Sequence, residues 1–135
     1  LYEHENGLDD GSTDPVSGIT SYVESSQLDI GDGNKFVFIR RLVPDLTFDG
    51  SITSTPSASF TVKTRNFPGG AYLSSDASTV TQSAAATTTT VEQFTDQVHI
   101  RLRGRSFALK VSSSDTEVQW RLGSPRVDIR EDGRR

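Results

Sequence analysis

The stretch VHIRLRGRSFALKV, residues 98–111, sets Arg101, Arg103 and Arg105 two apart and in phase with His99. On an extended strand this spacing puts the side chains on one face. A guanidinium is a planar fork of donors that suits phosphate and carboxylate alike. Such a face could track a nucleic-acid backbone, with Phe107 or Trp120 stacking bases. It could equally bind the carboxylates of a neighbouring protein. Two features favour the protein partner. Phe107 and Trp120 fall on the apolar phase of their strands, where they are expected to fill the core. The net charge of −4 and pI near 5.1 are the opposite of the strongly basic domain that nucleic-acid binding requires.

The carboxylates needed for that pairing are concentrated at the other end. Residues 1–34 hold eight Asp and Glu (Glu3, Glu5, Asp9, Asp10, Asp14, Glu24, Asp29, Asp32) and no Lys or Arg. Residues 101–135 hold nine Lys and Arg against five Asp and Glu. An acidic front and a basic back can pair within one chain or between copies. The expected contacts are Arg101, Arg103, Arg105, Arg121, Arg126 and Arg130 on the basic side. Glu3, Glu5, Asp9, Asp10 and Asp14 are their expected partners on an N-terminal arm.

Other chemistry finds little support. His4 between Glu3 and Glu5 lacks the second histidine that a helical zinc motif needs four residues on; the chain has only His4 and His99. Residues 29–35, DIGDGNK, alternate oxygen-bearing side chains as calcium loops do. The terminal bidentate glutamate is missing, because Arg40 stands there, and Asp-Gly-Asn is also a hairpin turn. No Gly-x-Ser-x-Gly elbow and no phosphate-loop spacing occurs. No cysteine is present, so thiolate and disulfide chemistry are excluded. The expectation is a non-enzyme without metal or cofactor.

The elements that would position these groups are strands. Residues 5–18, ENGLDDGSTDPVSG, are turn chemistry and read as an extended acidic arm or loop over 1–18. Period-two patterning begins at Ile19 and continues through 19–135. ITSYVES (19–25) reads as an edge strand. Residues 36–43 are apolar on both faces, the pattern of a central strand covered on both sides. SASFTVKTR (57–65) alternates with Ala58, Phe60, Val62 and Thr64 inward. The Ser/Thr/Ala tract 74–91 reads as a weakly packed outer strand or loop. Val98, Ile100, Leu102, Phe107, Leu109, Val111, Val118, Trp120, Leu122, Val127 and Ile129 complete the inward phase, with VHIRLRGRSFALKV folded about Gly104. Helical spacing is nowhere sustained. Seven or eight short strands predict an all-β antiparallel sandwich, jelly-roll-like, with an acidic N-terminal arm. No apolar run reaches the ~18–20 residues of a membrane span.

The ending RLRGRSFALKVSSSDTEVQWRLGSPRVDIREDGRR resembles the C-termini of large virion structural proteins of short-tailed bacteriophages. Those run Arg-Gly-Arg, an alternating strand, a polar turn, Trp-Arg-Leu-Gly, then an arginine-bearing strand to Asp-Gly-Arg-Arg. Upstream, YEHENGLDDG, YVESSQLDIGDG, FIRRLVPDLTF and VKTRNFPGG are similar to consecutive blocks of the same proteins. The resemblance covers most of residues 2–135 and implies a tail nozzle or packaged-DNA stabilisation component. Such a subunit would sit in a ring below the portal, in contact with its own copies and neighbouring virion proteins, assembled in the host cytoplasm. DNA would be transient cargo in the channel. Together with the absence of methionine, the resemblance implies the C-terminal portion of a longer chain. A second reading stays open: a carbohydrate- or receptor-binding sandwich, with Phe67 and Tyr72 flanking Pro-Gly-Gly as the ligand platform.

Overall fold

The computed structural model describes residues 7–11, 14–29, 34–65 and 86–133. Alternating residues build the strands, because successive side chains of an extended chain point to opposite faces and only one face can be buried. In order these are β1 (Ser21–Glu24), β2 (Leu28–Asp29), β3 (Val37–Val43), β4 (Leu46–Thr47), β5 (Ser57–Arg65), β6 (Ala86–Glu92), β7 (Val98–Gly104), β8 (Ser106–Ser113), β9 (Arg121–Leu122) and β10 (Arg126–Glu131). The fold is all-β, and every pairing is antiparallel.

Two principal sheets share one core. The first runs β1-β8-β5-β6, with β2 continuing the β1 edge along β8; the second runs β10-β3-β7. Strands β5 and β7 bury every second residue, as their patterns require. Phe60 and Val62 from the first sheet meet Ile39, Leu42, Ile100 and Leu102 from the second. This is the sandwich solution to two half-apolar sheets. The sheet orders alone do not make it a jelly roll. Val98, Ile100, Leu102 and Phe107 are buried as expected, while Leu109, Trp120 and Leu122 are half-buried against the core. Strand β1 is an edge strand, and β6, the C-terminal part of the Ser/Thr tract, closes the opposite edge.

Three expectations are corrected by the tertiary structure. First, 98–111 is not a hairpin about Gly104: β7 pairs with β3 and β8 with β5, so the chain turns a corner from one sheet to the other. A Cβ on Gly104 would meet the Thr64 Cβ at 2.7 Å and the Arg65 carbonyl oxygen at 3.1 Å. Only glycine lets the corner close that tightly.

Second, β3 is central in its sheet but covered on one face alone. Its two-sided apolar look comes from a change of phase. Between the same core levels β10 runs from Val127 to Ile129, β3 from Ile39 to Leu42 and β7 from Val98 to Leu102. The register shifts leave Arg40 and Arg41 consecutively exposed. Such bulges bend a sheet and strengthen its twist.

Third, the described part of the acidic arm is folded back rather than extended. Asp9 bridges Gly18, and the Asp10 N–H donates to the Ser17 carbonyl at 3.0 Å.

Candidate functional site

The bulged middle of the second sheet forms an open concavity. A groove of about 810 Å³ is lined by Phe38, Arg40, His99, Ile100, Arg101 and Arg130. Each side chain arrives for a backbone reason. His99 and Arg101 alternate outward along β7, and Arg130 lies beside Phe38 in the β10–β3 register. Arg40 is the residue displaced where the registers shift, which delivers a third guanidinium to the same hollow.

The cations on this sheet divide into two classes. Those of the first class are answered by the chain itself. Lys35 pairs with Glu131 at 3.2 Å, and Arg41 with Asp128 at 3.7 Å while donating to Gln97. Arg103 donates through Nε to the Asp132 carboxylate and through Nη2 to the Asp132 carbonyl at 3.1 Å. Its guanidinium also lies 4.1 Å from the centre of the Phe36 ring, with that of Arg105 at 4.9 Å from the same ring. Within the groove, the side chains of Arg40, Arg101, Arg130 and His99 make no hydrogen bond or ion pair with the described residues.

The alternating triplet read from the sequence is therefore not one surface. Arg101 and Arg103 do share the outer face with His99, but Arg103 is spent on Phe36 and Asp132. Arg105 lies past the end of β7, half-buried over Phe36, with its N–H donated to the Arg65 carbonyl at 2.9 Å. Arg101 is joined instead by Arg40 and Arg130. Alternation alone missed Arg40, since a bulge has no period-two signature; the Arg40-Arg41 dipeptide in an otherwise alternating strand was the available hint. Arg121 in β9, opposite Thr47, and Arg126 at the start of β10, opposite Val43, are exposed and outside the groove.

The expected acidic partners are placed elsewhere. Asp9 accepts the Glu117 N–H at 2.9 Å, which ties the arm to the loop after β8. Asp10 follows in the same turn, and Asp14 is exposed. Neither Asp9 nor Asp14 pairs with any of the predicted arginines among the described residues. Glu3 and Glu5 lie outside the described residues, as do Phe67, Tyr72 and the middle of the 29–35 loop.

The first sheet carries a different outer face. Lys63 donates to Glu24 at 2.8 Å across β8, and this bond holds the Glu24 carboxyl below its ordinary value. The Lys110 ammonium sits 4.8 Å from the centre of the exposed Tyr22 ring. A smaller hollow of about 230 Å³ here is lined by Thr20, Tyr22, Ser59, Lys110, Ser112 and neighbouring residues.

Among the described residues no group of three or more His, Asp and Glu side chains is arranged to hold a metal ion. No helix among them is long and apolar enough to cross a membrane. No protein-family model and no curated protein matches the chain.

Proposed function

We propose that this chain is a structural domain of a bacteriophage virion, a subunit of the tail nozzle ring that acts through protein–protein contacts. The observation that carries this reading is the separation of its charges. Three arginines line a groove without a paired carboxylate among the described residues, and Asp9 of the acidic arm is fastened to a different part of the fold. Surfaces of opposite sign on one subunit suit heterologous packing, in which one patch meets a different patch of the next copy. The β1–β2 edge adds exposed apolar residues, Tyr22, Val23 and Leu28, of the kind that neighbouring subunits cover. A net-negative subunit also suits a channel through which DNA passes without being gripped. The family resemblance supplies the setting.

The test is to purify short-tailed particles whose genome encodes this chain and to measure its copies per particle. Multiple copies, placed below the portal by electron microscopy, are the expected result. Particles complete and infectious without it would end this reading.

One feature favours the second reading. Tyr22 stands exposed beside the hydroxyls of Thr20, Ser59 and Ser112, an aromatic with polar neighbours such as sugars bind. Binding to a glycan array that is lost in Tyr22→Ala would move the function there.

A further inference from the structure

The groove's shape and charge raise the question of its occupant, and the loop after β8 offers an answer. Residues 114–117 are all exposed, and Glu117 has φ of 61°. Side chains other than Asn and Asp seldom take this left-handed conformation, whereas glycine takes it freely. The conformation is pinned from two sides. The Asp9 carboxylate accepts the Glu117 N–H at 2.9 Å, and the Glu117 carbonyl accepts the Ile52 N–H at 3.0 Å. A glutamate thus stands where glycine would fit with less strain, on a fixed backbone, with no ion pair among the described residues. Asp9, Asp10 and Asp115 share this corner: Asp115 accepts the Ser57 hydroxyl, and the Gly18 backbone packs on its carbonyl. Arg40, Arg101 and Arg130 are the reciprocal set, exposed along one groove and unanswered among the described residues.

We propose that the cationic groove of the β10-β3-β7 sheet receives the acidic turn of a second copy of this chain, with Glu117 entering between Arg40, Arg101 and Arg130. The contact is heterologous, so a pair of copies keeps one free groove and one free turn. The array closes into a ring if the rotation permits and otherwise continues as a filament. This inference rests on the reading of the chain as a self-assembling structural domain, but it names the surfaces and is tested without any virion.

The experiment uses the 135-residue chain. Oligomeric mass is measured by sedimentation at about 50 mM and about 500 mM salt, which bracket weak and strong screening. Wild type should associate at the lower salt and dissociate at the higher. Two variants reverse one surface each: Arg40→Glu/Arg101→Glu/Arg130→Glu in the groove, and Asp115→Lys/Glu117→Lys in the turn. Each alone should weaken association by at least about tenfold, the scale of a few exposed pairs turned repulsive. Mixed, the two should associate again, since each groove then meets a turn of opposite sign. A third variant, Glu117→Gly, should keep or raise the melting temperature by relieving the backbone while weakening association. That outcome separates a docking role from a merely structural one.

A monomer at both salts overturns the proposal, as does association unchanged in either reversed variant or a mixture that stays apart. Binding of a single-stranded 20-mer that the groove reversal abolishes, with association intact, would assign the groove to nucleic acid and also overturn it. Failure here, with the chain still found in particles, would leave the virion reading standing on other contacts.

Discussion

The outer faces of the two sheets treat charge in opposite ways. On the first, Lys63 crosses β8 to Glu24, and Lys110 lies against Tyr22, so cations brace the edge strand β1 against its own sheet. On the second, Lys35, Arg41 and Arg103 likewise find Glu131, Asp128 and Asp132. Beside them the groove keeps three guanidiniums together with no paired carboxylate among the described residues. Exposed ion pairs contribute little to stability, so the paired cations are tolerable choices with a modest gain. Clustered like charges contribute none and repel one another. On the reading proposed above such a cluster serves a partner, and the difference separates cations that hold the domain from cations it presents.

That comparison can be broken at its hinge first. Gly104 joins the sheets, and Gly104→Ala would drive a methyl into buried Thr64 and the Arg65 backbone. A loss of about 1–3 kcal/mol is expected from such overpacking, read by urea denaturation; an unchanged midpoint would mean the corner has slack.

The sharper test stays on one face of one strand. Arg103→Ala should cost about 1 kcal/mol, since it removes the Asp132 pair and the contact with the Phe36 ring. Arg101→Ala, two residues away, should change stability by no more than about 0.5 kcal/mol, as surface changes without partners do. Equal losses at both positions would erase the distinction between holding and presenting.

The smallest effect probes the paired face through pH. The Lys63 hydrogen bond lowers the Glu24 pKa in the folded state, so its contribution is fully present above the ordinary 4.5 and is lost as pH falls through the lowered value. Glu24→Gln should therefore destabilise by roughly 0.5 kcal/mol at neutral pH, the scale of a surface pair. The gap to wild type should close in acid. A gap that persists in acid would point to lost packing instead of lost charge.

Much of the fold was legible in local pattern. The alternation of 57–65 and 98–104 set their inward and outward faces, because period two is a property of a single strand. The burial of Phe107 followed from the same rule. The candidate site was legible only in part. Arg101 and Arg130 were named among the arginines, but Arg40 was not, since its exposure depends on register shifts against two neighbouring strands. Arg103 and Arg105 looked equivalent to Arg101 because alternation cannot see Phe36 or Asp132 arriving from elsewhere in the chain.

The amino-acid sequence by itself determined that this protein is built from strands, which side chains face inward along the regularly alternating ones, and that acid and base are separated along the chain. These are local matters of propensity, period and count. Only the tertiary structure decided that residues 98–111 turn a corner between sheets, and that Asp9 fastens to the Glu117 turn. It also decided which guanidiniums lack partners among the described residues. Those outcomes depend on register between strands distant in sequence, and a single strand's pattern holds no information about the partner it will meet.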